Sequence, residues 1–259
     1  MKKSIITIAL AMLGVASWAT DYNMVVNQNG VKTKFKVSTV TDVTFEELPA
    51  VTHNSKTVTV NDGTTVTFVD LGLPSGTLWA DRNVGAATPE AYGSYFAWGE
   101  TKPKSNYSWS TYIVTSVSNC GTASDPIYKE LGSNADIAGT KYDAATANWG
   151  AGYKMPTKAQ WKELNNSKYT TWTWTTKNGV KGYEVTSKAE GNNNSIFLPA
   201  AGNRDGWGIN AVGSGGDYWS SSLYSDAPDY AWYLTFGSYG RSVSDSRRYY
   251  GLSVRPVSE

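Results

Sequence analysis

An α+β domain built from many short antiparallel strands is the fold class this sequence predicts, and three observations predict it. Strand-like runs recur on either side of Asn-Gly or Asp-Gly pairs, the signature of tight hairpins. Only two segments carry the residues that start and stop a helix. Glycine is abundant, at 25 residues, and aromatic residues make up 13% of the chain against 17% charged. That balance suits turns and packed short strands better than a helical enzyme.

In chain order, Lys2 and Lys3, the apolar run 5–15 and Ser17-Trp18-Ala19 form the three parts of a secretory signal peptide, with cleavage expected after Ala19. The apolar run is too short to span a bilayer, which takes about 20 residues, and no later run is longer, so no direct membrane span is expected. Residues 22–26 and 31–37, joined by a turn at Asn27 to Gly30, read as a hairpin. Residues 38–40 and 43–45 add a further extended piece, and the whole of 20–47 is assigned to a small N-terminal β-hairpin unit. Residues 48–65 read as a linker and a leading hairpin turning at Asn61-Asp62-Gly63, and the main domain is placed at 66–257.

Within that domain, 92–99 is an aromatic strand, and 100–143 is a long polar stretch packed by its own Tyr107, Trp109, Tyr112 and Tyr128. Asp143 as cap and Gly150 as stop enclose one short helix. Thr157 and Gln160 form a capping box for a second, whose apolar edge is Trp161 and Leu164. The strongest hairpin pairs 171–176 with 182–186 around Asn178-Gly179, and 195–199 reads as a buried strand.

Twenty-three Lys and Arg against 22 Asp and Glu leave a net charge of +1, which gives no electrostatic reason to expect nucleic acid as a partner. The single cysteine, Cys120, can make no internal disulfide and reads as an inert loop residue. The single histidine, His53, reads as a solvated linker residue. No His/Cys cluster of metal-ligand type and no Ser-His-Asp set can be assembled from these residues. Glu100, Glu163 and Glu184 are scattered, without the pairing that glycoside hydrolysis needs. The stretch Gly213 to Gly216 lacks the lysine and the strand-to-helix context of a phosphate loop. No cofactor is expected, and Asp205, Asp217 and Asp226 are the candidate oxygen donors for a structural calcium ion.

The segment 217–257 alternates apolar residues with Tyr, Arg, Asp and Ser. Tyr224, Tyr230, Tyr233, Tyr239, Tyr249 and Tyr250, interleaved with Arg241, Ser242, Asp245 and Arg247, have the composition of a paratope, in which rigid amphipathic rings give contact area and small polar residues adapt. The competing reading is ordinary strand pairing, where Tyr is common. The charges between the rings resist burial and favour the first reading for the group. Those six tyrosines with Arg241, Asp245 and Arg247 are the candidate ligand-binding set. Arg204 and Trp207 extend it, with Trp207 expected to be packed.

Six separated motifs carry a family resemblance: Val69-Asp-Leu-Gly-Leu73, Tyr95-Phe-Ala-Trp-Gly-Glu100, Tyr153-Lys-Met-Pro-Thr-Lys-Ala-Gln-Trp161, Ile196-Phe-Leu-Pro-Ala-Ala-Gly202, Tyr218-Trp-Ser-Ser-Ser222 and Ser253-Val-Arg-Pro-Val257. In this order they resemble the Fibrobacter succinogenes major paralogous (FISUMP) domain over about residues 66–257. The N-terminal unit is similar to one preceding such domains in exported proteins of Bacteroides-type bacteria. The resemblance implies a C-type-lectin-like fold of the formylglycine-generating-enzyme type, with Trp219 and Val254 as frame residues. It does not carry that enzyme's activity here, because the chain has no Cys after Cys120. The sugar-binding Glu-Pro-Asn and Trp-Asn-Asp motifs of calcium-dependent lectins are also missing.

A looser likeness, to the variable proteins of diversity-generating retroelements, implies a constant frame (Ala231, Trp232, Leu234, Phe236, Val243, Arg248, Gly251 and 253–257). Tyr233, Thr235, Tyr239, Arg241, Ser244, Asp245, Arg247 and Tyr250 would then be displayed. The expected function is that of an exported or cell-surface, non-enzymatic recognition protein whose partner is a glycan or a cell-surface protein. The alternative is a structural or assembly subunit of the cell surface, of adhesin or fimbrial type, using its N-terminal strands for β-augmentation.

Overall fold

The computed structural model describes residues 23–28, 31–36 and 52–259, which fall in two units, Met1–Ala50 and Val51–Glu259. The expected signal peptide, the turn at 29–30 and the extended piece at 38–45 lie outside the described residues. In the first unit β1 (Asn23–Gln28) pairs antiparallel with β2 (Val31–Lys36) in an unbroken register, Asn23 opposite Lys36 and Gln28 opposite Val31.

The second unit is a mostly antiparallel β structure with three short helices. A four-stranded sheet orders β16 (Val257–Ser258), β5 (Leu78–Ala80), β4 (Thr65–Asp70) and β3 (Lys56–Thr59). The leading hairpin is therefore built into the larger unit. A five-stranded sheet orders β14 (Gly240–Arg247), β13 (Tyr230–Gly237), β12 (Gly215–Leu223), β15 (Leu252–Ser253) and β6 (Tyr95–Phe96), with β12 and β15 parallel. A three-stranded sheet runs β7 (Thr170–Lys177), β8 (Val180–Ser187) and β9 (Ser195–Pro199). A two-stranded hairpin joins β10 (Asn203–Asp205) to β11 (Gly208–Asn210).

The β7–β8 turn shows why its sequence forms it. Asn178 and Gly179 sit at φ +48° and +82°, the left-handed pair that a two-residue turn of the primed type requires and that matches the twist of its strands.

The two expected helices are α2 (Ala144–Trp149) and α3 (Lys158–Leu164). Asp143, fully buried, caps α2 by accepting from the Ala145 and Thr146 amides and also receives Gly139 N and Met155 N. Thr157 and Gln160 form both halves of the capping box on α3. The long polar stretch contains a third helix, α1 (Pro126–Leu131), that the periodicity does not reveal. Its signal is Asp125-Pro126, a cap followed by proline at the first helical position.

The central sheet buries both faces. Tyr218, Leu234 and Phe236 share one core with Trp161 and Leu164 of α3 and with Tyr183, Val185, Ile196 and Leu198 from β8 and β9. Trp219, Leu223 and Ala231 share another with Phe68, Trp98, Ile127 of α1 and Trp149 of α2. Two arginines run through the interior. Arg255 donates to Asn83 Oδ1 and to the carbonyls of Ala80 and Phe197 at 2.8–2.9 Å. Arg248 donates to Asp125 Oδ2 at 2.6 Å, to the Tyr112 hydroxyl at 3.0 Å and to Pro228 O, with its guanidinium 4.9 Å from the Trp98 ring centre.

Candidate binding surface

Strand parity decides which side chains of β13 and β14 can act together. Residues directly opposite share a face, and the register pairs Trp232 with Asp245, Leu234 with Val243 and Phe236 with Arg241 on one side, and Tyr233 with Ser244 and Thr235 with Ser242 on the other. On β12 the second side continues as Asp217 opposite Thr235 and Trp219 opposite Tyr233. The first side faces α3 and the three-stranded sheet. The second becomes the candidate surface where it leaves the core: Trp219 and Ala231 are buried, whereas Asp217, Tyr233, Thr235 and Ser244 are half-buried and Ser242 is exposed.

The β10–β11 hairpin borders this surface and is held from two directions. Gly206 exchanges both backbone hydrogen bonds with Tyr107 at 2.7 and 2.8 Å, and Arg204 exchanges both with Gly251 at 2.8 and 3.0 Å. A Cβ on Gly251 would lie 2.6 Å from the Tyr107 ring, so only glycine lets the two segments approach this closely. Asn203 and Asp205 lie on one side of β10 and Arg204 on the other. Asn203 Nδ2 donates to Asp217 Oδ2 at 2.7 Å, and Asn203 Oδ1 accepts a long bond from Asn210 Nδ2 at 3.4 Å. The Arg204 guanidinium lies 5.4 Å from the centre of the Tyr95 ring. At the hairpin's turn Trp207 is 73% exposed, with Ile209 and Val212 also exposed. Trp207 is thus a correction: no neighbour comes up to bury a ring at the tip of so tight a turn.

Four of the nine candidate residues form one chain of contacts beside the hairpin. Arg247 Nε donates to the Tyr230 hydroxyl at 3.1 Å, and hydrogen bonds with Tyr230 and Tyr249 hold its pKa above the ordinary arginine value. The Tyr249 and Tyr250 rings stand 4.6 Å apart, and Tyr249 also packs on Trp109 at 5.2 Å. Tyr250 titrates late, pushed up to about 12 by its hydrogen bond with Tyr249, by burial and by the nearby Asp205 charge. Asp217 has its pKa raised by burial, against hydrogen bonds from Asn203 and Thr235 that favour the charge. Burial, with the Asp217 charge behind it, also raises Tyr233.

One of these four is interior, and most of the remaining candidates fall elsewhere. Tyr249, expected on the surface, is only 8% exposed and belongs to a buried cluster with Tyr95, Tyr107 and Tyr112. Arg241 lies on the opposite side of the sheet, its guanidinium 4.9 Å from the Trp172 ring, because its position opposite Phe236 turns it toward β7. Tyr224 packs edge-on against Trp232 at 5.0 Å. Lys158 Nζ sits 3.2 Å from the Trp232 ring centre, and burial lowers its pKa. Asp245 shares that side by register. Tyr239 is fully exposed at the β13–β14 turn. The nine residues therefore do not form one patch: Asn203, Asp205, Trp207 and Asp217 join Tyr233 and Tyr250 in the one that does form, while Arg247, opposite Tyr230, lies on the first side by register.

The scattered carboxylates have structural partners. Glu100 is buried, accepting from Lys104 Nζ and Ile113 N, Glu163 accepts from the amide and hydroxyl of Ser75, and Glu184 pairs with Lys177 at 2.6 Å. Among the described residues no three His, Cys, Asp or Glu side chains converge as metal ligands. His53, expected to be solvated, has Nδ1 3.6 Å from Asp70 Oδ2 with its side chain largely covered. Cys120 is a free thiol, and burial raises its pKa to about 11. Among the described residues no helix is long and apolar enough to cross a membrane. No family model, curated protein or solved structure matches the chain.

Proposed function

We propose that the larger unit is a recognition domain with the C-type-lectin-like fold of the FISUMP group, exported to the cell surface and binding a glycan or a cell-surface protein. The contact surface is the second side of the β12–β14 sheet together with the β10–β11 hairpin. The observation that carries this reading is a side-chain set, Asn203, Asp205, Trp207, Asp217, Tyr233 and Tyr250, standing on backbone fixed by the Gly206–Tyr107 and Arg204–Gly251 hydrogen bonds. A rigid base lowers the entropy lost on binding. Exposed Trp and Tyr among small polar groups are what contact energy concentrates on.

The test is to probe the full chain against a glycan array and a panel of cell-surface proteins, then repeat any hit with Asp205→Ala/Trp207→Ala. Loss of capture by that variant supports the surface. A hit that survives it places the site elsewhere. The loose likeness to retroelement variable proteins has its own check in the gene, where adenine-rich codons at the display positions beside a near-copy repeat would support diversification.

The separate β1–β2 unit favours a second reading, an assembly subunit that adds its strands to a partner's sheet. Two strands alone are marginal in stability, and strand addition to another sheet is one way to gain partners. On this reading, deletion of residues 20–47 releases the protein from the cell surface, and retention of the deleted form sinks it.

A further inference from the structure

We propose that the free edge of β7 pairs antiparallel with the same edge of a second copy of the chain, joining the two three-stranded sheets into one. β7 is the outer strand of its sheet, eight residues long, in unbroken register with β8 from Thr170 opposite Ser187 to Lys177 opposite Val180. An exposed edge of this length is a template for pairing, and proteins usually blunt one with charge, proline or a bulge. β14, the outer strand of the central sheet, carries Arg241, Asp245 and Arg247, whereas β7 reads Thr-Thr-Trp-Thr-Trp-Thr-Thr before its first charge at Lys177.

The bonding groups on that edge are defined by the hairpin. In a two-residue turn the flanking pair, here Lys177 and Val180, is the hydrogen-bonded one, and hydrogen-bonded and non-bonded pairs then alternate along the ladder. Thr170, Trp172, Trp174 and Thr176 therefore turn their N–H and C=O groups away from β8. Two neighbouring bonds agree with this phase: Thr170 N turns outward to Asn166 O, and Lys181 O, opposite Thr176, is used by Ala200 N on the far side of β8. With Thr170 N taken, Trp172, Trp174 and Thr176 remain, and no other described backbone group bonds to them.

Those three residues are self-complementary. An antiparallel pairing centred on Trp174 sets it opposite Trp174 of the second copy and sets Trp172 opposite Thr176 on each side, so each outward group meets a partner. On the exposed side Thr173 falls opposite Thr175 of the second copy, a favourable cross-strand pair. Lys177 falls opposite Thr171 rather than its own copy, so no like charges meet. The pairing closes on its two-fold axis and does not propagate.

Sedimentation velocity on the full chain over a concentration series tests this with two variants. Thr173→Lys/Thr175→Lys puts like charges opposite each other across the axis. Thr173→Lys/Thr175→Glu puts opposite charges there. Wild type is expected to dimerise, the Lys/Lys variant to be monomeric with its circular dichroism unchanged, and the Lys/Glu variant to dimerise again. A wild type that is monomeric up to its solubility limit, a Lys/Lys variant that still dimerises, or a Lys/Glu variant that stays monomeric would each overturn the proposal.

Discussion

Arg247 and Arg248 are neighbours in sequence and opposites in environment, and the two regions they belong to divide the molecule's polar residues by task. Arg248 is fully buried, with Asp125, Tyr112 and Pro228 O consuming its donors and Trp98 beneath its plane. Asp125 in turn caps α1, so this one ion pair fixes a helix start, the 228 loop and the end of β14 together. Arg247 is exposed, shares hydrogen bonds with the hydroxyls of Tyr230 and Tyr249 and leaves its remaining donors to solvent. Both regions are made of Arg, Tyr and Asp. What separates them is how far their hydrogen bonds are already satisfied inside the protein, and that is the difference between a buried frame and an exposed rim.

The comparison breaks most sharply at Arg248. Arg248→Met leaves Asp125 buried without its cation and should cost about 3–5 kcal/mol in equilibrium denaturation; a loss below about 1 kcal/mol would mean the pair does not hold the frame. Gly251→Ala should come next, at about 1–3 kcal/mol, because its methyl group displaces the Tyr107 ring from packed core. Its cost should be accompanied by faster amide exchange at Gly206 and Arg204, which Gly251 and Tyr107 hold. Arg241→Ala should cost about 0.5–2 kcal/mol through loss of its stacking on Trp172, and denaturation should show it where a purely exposed display residue would show nothing.

The smallest expected effect is at Asp217, and its sign is set by burial. A folded pKa raised above the ordinary carboxyl value means that the contribution of Asp217 to stability is fully present below that ordinary value and is lost as pH rises through the raised one. Asp217→Asn removes that loss. The variant should therefore gain on wild type as pH rises through this window, when unfolding free energies are measured at a series of pH values. A variant that falls further behind wild type as pH rises would contradict the assigned direction.

Much of the fold was legible where local chemistry alone decides the structure. Thr157 with Gln160, Asp143 with Gly150, and Asn178-Gly179 specify caps and a turn within a few residues, and each sits where its sequence places it. The α1 helix escaped because six residues hold too little periodicity, although Asp125-Pro126 marks its start. The candidate surface was only half legible. Alternation along β13 and β14 separates two sets of side chains, but which set meets α3 and which meets solvent depends on the partner sheet, and no local signal encodes that. Thus Arg241 and Tyr233, similar as members of a polar aromatic run, lie on opposite sides. The hairpin carrying Asn203, Asp205 and Trp207 turns at Gly206-Trp207, where glycine takes the positive φ of +57° that the first turn position favours. Its closeness to Tyr250 and Asp217 comes from bridges between residues far apart in the chain.

The central claim, that the outer side of the sheet and its hairpin contact a ligand while the inner side serves as frame, is tested most directly by measuring capture and thermal unfolding on the same two variants. Asp205→Ala/Trp207→Ala should lose capture of whichever array ligand the wild type binds and keep its unfolding midpoint. Arg241→Ala should keep capture and unfold earlier. If Arg241→Ala abolishes capture at unchanged stability while the hairpin variant binds as wild type, the two sides have been assigned the wrong way round.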